Sequence, residues 1–166
     1  MNVRIVLSLF TLFVSIFLTR CHSDTAHLSN GQETPEFHLQ QLQHGEAHFP
    51  EAFAGKVVVI RFWADWCPFC ESEMQAIEPI YQAYRQKGLV VLALNVRQDR
   101  DTAAAFISKL GITYDVLLDS EGETARAYGV IGLPTTFIIN REGRLYTKIV
   151  GESTPQVLEQ ILGELI

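Results

Sequence analysis

The sequence of 166 residues predicts an α/β fold: a mixed central sheet with helices on both faces and an added N-terminal hairpin. Three observations carry that expectation. Apolar runs rich in β-branched residues, Val57-Val58-Val59-Ile60 and Leu89 to Asn95, alternate with segments of helical period, as in sheets buried on both sides. The last third abandons that alternation for two strands joined by Asn140-Arg141-Glu142-Gly143, a hairpin turn that makes the pair antiparallel. An amphipathic segment then closes the chain, so strands and helices together suffice to enclose one core.

Each element has its own local reason. Phe37-His38-Leu39-Gln40 and Ala47-His48-Phe49 alternate with period 2 around Gly45, the pattern of a short hairpin. After the strand beginning at Val57, residues Glu71 to Gln86 place Met74, Ile77, Ile80, Tyr81 and Tyr84 at helical spacing, and Gly88 ends the segment. Pro79 lies inside this helix and is expected to kink it. Leu89 to Asn95 reads as a second buried strand and Thr102 to Leu110 as a helix closed by Gly111. Asp115 to Leu118 follows as a short strand and Glu121 to Tyr128 as another helix. Thr135 to Ile139 and Leu145 to Val150 form the terminal hairpin. Thr154 is the expected N-cap of the final helix, with Pro155 at its first position and Val157, Leu158, Ile161, Leu162 and Leu165 as its apolar stripe.

The composition is that of a globular protein, 48% hydrophobic and 19% charged, which excludes a disordered or fibrous chain. Thirteen Lys and Arg against 19 Asp and Glu give a net charge of −6, so nucleic acid is not the expected partner. Ile5 to Leu18 is an uncharged apolar run between Arg4 and Arg20. It fits a secretory leader and is shorter than the roughly 20 residues that span a bilayer. Residues 1–23 are therefore read as a signal peptide or short membrane anchor. Leu18-Thr19-Arg20-Cys21 has the form of a lipidation signal with Arg20 where a small residue is usual, so Cys21 is a candidate lipidation site and cleavage after Ser23 is the other reading. Residues 24–36 read as a flexible polar spacer and 37–166 as the folded domain. All five histidines lie between His22 and His48, where they read as solvated side chains; no metal or cofactor is expected.

The functional signal is Trp66-Cys67-Pro68-Phe69-Cys70 at a strand-to-helix junction. The first N–H groups of a helix lack partners and present about half a positive charge. A thiolate at Cys67 is stabilised there, so its pKa falls below the free-cysteine value of roughly 8.5 and its thiolate fraction at pH 7 rises above about 3%. Two intervening residues let Cys70 close a disulfide with Cys67 across one turn. A structural zinc site needs two further Cys or His ligands, and residues 71–166 contain neither. Covalent haem attachment needs His after the second cysteine, where Glu71 stands.

FWADWCPFC, from Phe62 to Cys70, resembles the thioredoxin active-site segment, and Gly132-Leu133-Pro134-Thr135-Thr136-Phe137 resembles the cis-proline loop of that family. With GKVVVIRFWADWC and LLDSEGETARAYGVIGLPTTFIINREGR, the region from about Pro35 to Ile166 is similar to the exported TlpA/ResA-type thioredoxin-like proteins. The resemblance implies a thioredoxin-like fold and a thiol–disulfide oxidoreductase acting outside the cytoplasm. It makes Cys67 the attacking cysteine, Cys70 the resolving one, and Pro134 a cis-proline beside them, with Trp66 and Leu133 meeting the substrate chain. Glu73 stands where such proteins commonly carry a glutamate that relays a proton from Cys70. Arg61 departs from the family, which has an acid or a neutral polar residue there; it is expected to pair with Glu73 or to reach the rim of the sheet.

The resemblance further implies disulfide-containing exported proteins as substrates and a membrane electron donor of the DsbD/CcdA type. Reduction of protein disulfides is the expected direction, with a disulfide-forming oxidase as the alternative. A copper-binding or copper-delivery protein is the alternative from another class, for which only Met74 offers a nearby additional ligand. The Pro-x-x-x-Thr-x-x-Cys context of peroxidases is missing, since Ala64 stands three residues before Cys67.

Overall fold

The computed structural model describes residues 28–166, so the predicted leader at 1–23 and the candidate lipidation site Cys21 lie outside the described residues. Seven strands form one sheet in the order β2-β1-β5-β4-β3-β6-β7. They are β1 (Phe37–Gln41), β2 (Glu46–Phe49), β3 (Val57–Trp63), β4 (Leu89–Val96), β5 (Asp115–Asp119), β6 (Thr135–Ile139) and β7 (Leu145–Val150). The helices are α1 (Cys70–Tyr84), α2 (Arg100–Ile107), α3 (Glu123–Ala127) and α4 (Pro155–Leu165). Strands β3, β4 and β5 run parallel, while β1 against β5, β3 against β6 and both hairpins are antiparallel. This is the expected mixed sheet with a thioredoxin-like connectivity.

The apolar runs become strands because neither face of the sheet meets water at its centre. Every residue of β3 is buried, and its side chains alternate between two cores. Val57, Val59 and Trp63 face one core with Met74, Ile77 and Ile80 of α1 and Leu158 and Leu162 of α4. Val58, Ile60 and Phe62 face the other, with Ala125, Tyr128 and Phe137. Arg61, at an odd position of β3, shares the α1 side. α1 runs through Pro79 from Cys70 to Tyr84, and a short 3-10 turn carries it to Gly88, whose φ of 100° lets the chain reverse into β4.

Differences from expectation gather at helix ends and at the spacer. α2 begins at Arg100 because Asp99 caps it, its carboxylate accepting from the Thr102 N–H at 2.8 Å. α3 is shorter than expected, and its N–H groups at Thr124 and Ala125 donate to the buried Asp119 carboxylate at the end of β5. Thr154 precedes α4 without a capping bond from its side chain, leaving Pro155 alone to start that helix. Of residues 24–36, expected to be a flexible spacer, those from Leu28 to Glu36 lie against the domain. Leu28 is buried, the Gly31 N–H donates to the Leu145 carbonyl at 2.7 Å, and the Leu145 N–H donates to the Gln32 carbonyl at 2.8 Å. The partners that order this segment lie 93 or more residues away in sequence, beyond any local pattern. Among the described residues no helix is long and apolar enough to cross a membrane.

Candidate active site

β3 delivers the cysteine pair to the point where the sheet gives way to α1. Beyond Trp63 the chain turns at Ala64–Trp66, with the Cys67 N–H donating to the Ala64 carbonyl at 3.2 Å, and α1 begins at Cys70. Cys67 thus precedes the helix by one turn, and the Cys70 N–H donates to its carbonyl at 3.2 Å. The sulfurs are joined in a disulfide with the Cα atoms 5.4 Å apart. Cys70 is wholly enclosed and Cys67 is 2% exposed, whereas the neighbouring Trp66 and Phe69 are 68% and 48% exposed. An apolar rim therefore surrounds a nearly enclosed disulfide.

Beneath the pair, α1 turns Cys70, Glu73 and Met74 inward together. Glu73 meets Arg61, which is 1% exposed, in a buried ion pair. Arg61 also donates from Nη1 to the Thr136 hydroxyl at 2.9 Å, and the second carboxylate oxygen of Glu73 accepts from the Ser153 N–H. One buried contact thus ties β3, α1, β6 and the loop before α4. Of the two placements expected for Arg61, the structure shows the pair and not the rim of the sheet. Tyr114 completes this floor: its hydroxyl donates to the Met74 carbonyl at 2.8 Å, and burial pushes its phenol well above the ordinary range despite the opposing charge of Arg61.

The loop before β6 supplies the opposite wall. The Leu133–Pro134 peptide bond is cis, Leu133 packs against the core that contains both cysteines, and Thr135 donates to the Gly132 carbonyl at 2.7 Å. Trp66, Leu133, Ile131, Val130, Arg97 and Arg126 line a groove of about 430 Å³ beside the disulfide. Ile131 projects almost fully into solvent, 92% exposed. Arg97 holds a positive φ of 57° and lies over Gly122, where a Cβ would stand 2.7 Å from its Nε. Only glycine admits that approach.

The structure thus gathers Trp66, Cys67, Cys70, Leu133 and Pro134 around one surface and sets Glu73 on its floor. Sequence reasoning missed the support of the turn before Cys67. Gln98, just past β4, accepts from the Asp65 N–H at 3.0 Å and from Asn95 Nδ2 at 2.8 Å, and donates back to the Asp65 carboxylate. Nothing local in the sequence links residues 65 and 98; only the parallel pairing of β3 with β4 brings them together.

Comparison with known proteins agrees with this arrangement. Residues 30–148 match the AhpC/TSA family. The chain is 32% identical over 156 residues to the thiol-disulfide oxidoreductase ResA of Bacillus cereus, covering 94% of this chain and 87% of that protein. It is also 32% identical over 153 residues to the ResA of Geobacillus thermodenitrificans, covering 92% and 84%. Among solved structures, a thiol:disulfide interchange protein DsbE from Chlorobium tepidum superposes with a TM-score of 0.79 at 32% identity, covering 84% of this chain and 99% of that one.

Proposed function

This chain belongs to the AhpC/TSA family and is a thiol-disulfide oxidoreductase of the ResA type, and from that premise we propose that it reduces disulfides of exported proteins outside the cytoplasm. The observation that carries the reading is the Cys67–Cys70 disulfide at the start of α1, facing a rim of exposed apolar side chains. In the reduced protein the Cys67 thiolate, favoured by the first turn of α1, attacks one sulfur of a partner disulfide. A mixed disulfide forms and one partner thiolate leaves. Cys70 loses its proton and attacks Cys67 Sγ, which closes the pair and expels the second partner thiolate. Two electrons pass to the partner, and the protein is left in the disulfide state of the structure.

Trp66 and Leu133 hold the partner chain across the groove, and Pro134 shapes the wall against which it lies. Arg97 and Arg126 in the same groove favour an acidic residue near the partner cysteine. Glu73 is the candidate acceptor for the Cys70 proton. Both of its oxygens already have partners, so that relay competes with Arg61 and Ser153. The apolar run Ile5–Leu18 directs export, by cleavage or by tethering to the membrane, with lipidation at Cys21 as one route. Re-reduction then requires a dithiol donor at the membrane, of the DsbD/CcdA type.

Equilibration of the purified protein with glutathione buffers, together with trapping of partners by Cys70→Ser, tests the proposal. The expected potential lies near the roughly −270 mV of thioredoxin, and the trapped adducts are exported proteins joined through Cys67. A value near the roughly −120 mV of DsbA would make the chain an oxidase. Stoichiometric copper(I) binding without disulfide exchange would move it to the copper-handling class.

A further inference from the structure

We propose that His38, His48 and Glu51 form a binding site for a divalent first-row metal ion, Zn²⁺ or Cu²⁺ by their chemistry, on the outer face of the N-terminal hairpin. The site is separate from the dithiol, since β1, β5 and β4 lie between β2 and β3 in the sheet. The hairpin register sets His38 directly opposite His48, one step from the Phe37–Phe49 pair whose rings stack at 5.0 Å. Because Phe37, Ala47 and Phe49 turn into the core, His38 and His48 point the other way with Gln40 and Glu46. Their imidazole centroids are 4.4 Å apart.

The third ligand arrives through the turn that follows. Beyond Pro50 a 3-10 turn, Glu51–Phe53, brings the Glu51 carboxylate back to this face. One ligand atom from each of His38, His48 and Glu51 lies within 4.8 Å of the other two. Two imidazoles and a carboxylate make a donor set suited to zinc or copper. Around a tetrahedral zinc ion with bonds of about 2.0–2.1 Å, ligand atoms sit about 3.4 Å apart. Small side-chain rotations close the difference, and these side chains are exposed or half-buried and free to make them. Glu46 stands ready to orient one ligand, its carboxylate 3.5 Å from His48 Nε2, while Gln40 donates to its other oxygen. A bound ion would clasp the edge strand β2 to both β1 and the turn after it.

The test is titration of Zn²⁺ and Co²⁺ into the full-length chain in mild detergent, with the Cys67–Cys70 disulfide closed and Cys21 alkylated so that no thiol contributes. The expected result is one ion per chain and a Co²⁺ spectrum with d–d bands but no thiolate charge-transfer band. His38→Gln and His48→Gln should each weaken binding at least about tenfold, Glu51→Gln should weaken it less, and His44→Gln should leave it unchanged. Disulfide exchange should be the same in all four. In the unsubstituted protein, imidazole NMR signals of His38 and His48 should shift together on adding Zn²⁺, a readout independent of whether a variant folds. Binding that survives both single histidine substitutions, binding lost with His44→Gln, or unshifted His38 and His48 signals would overturn the proposal.

Discussion

Arg61 carries its charge into β3, whose other six residues are apolar and buried, and the reason is Glu73. Removing two ions from water costs several kcal/mol each, and only close pairing with further hydrogen bonds offsets it. Thr136 and Ser153 supply two of those bonds, while Arg61 Nε has no partner among the described residues. The pair is therefore weak as a source of stability but severe when broken. Arg61→Met leaves the Glu73 carboxylate buried alone and should destabilise the oxidised protein by about 3–5 kcal/mol in urea unfolding. Combining it with Glu73→Leu should recover most of that loss. A double variant no more stable than the single one would mean that packing around Arg61, not charge, sets the penalty. The reduced single variant also reads the redox side of the pair. With the cation gone and an anion left beneath the dithiol, the pH at which Cys67 gains its ultraviolet thiolate absorbance should move upward.

At the scale of elements, α1 is fastened at three places, and the third is sensitive to pH. The Glu78 carboxylate accepts from Gln82 Nε2, from the Thr113 hydroxyl at 2.7 Å and from the Thr113 N–H at 2.8 Å, joining the middle of α1 to the loop before β5. Partial burial pushes this carboxyl up, but the hydrogen bonds from Gln82 and Thr113 outweigh it and hold the group below its ordinary value of 4.5. An acid whose folded value is depressed contributes stability above its unfolded value and loses it as pH falls through the folded one. Glu78→Ala should thus lower the melting temperature at pH 7, and the gap from the unsubstituted protein should narrow below pH 4.5. A gap of constant size across that range would assign the effect to helix packing instead. Glu78 also marks what could be read beforehand. β3, α1 and the cysteines were legible because strand period, helix period and the spacing of two thiols are local patterns. Thr113, Gln98 and Ser153 were not, because each meets its partner only once β3 has paired with β4 or α1 has packed on the sheet. His38 and His48 fell between: the hairpin was legible, but their pairing needed its register.

Over the whole molecule, the N-terminal segment decides where the folded unit starts. Pattern placed that start at residue 37, since DTAHLSNGQETPE carries no period and much polarity. In the structure the stretch from Leu28 to Glu36 spans the outside of the β6–β7 turn and reaches α3's end. Glu33 bridges to Arg144 through backbone and side chain, Thr34 donates to the Gly143 carbonyl at 3.3 Å, and the Pro35 carbonyl accepts from the buried Tyr128 hydroxyl at 2.8 Å. The consequence of truncation lies in what the segment covers. Without Pro35 the Tyr128 hydroxyl loses its acceptor inside the second core, and without Leu28 an apolar patch opens beside Leu145. A fragment of residues 37–166 should therefore unfold at lower urea than one of 28–166, by about 1–3 kcal/mol in stability. Disulfide-exchange rates of the two should match, because the segment touches none of the residues around Cys67. Equal midpoints would return the boundary to residue 37 and make the docked stretch a spacer after all.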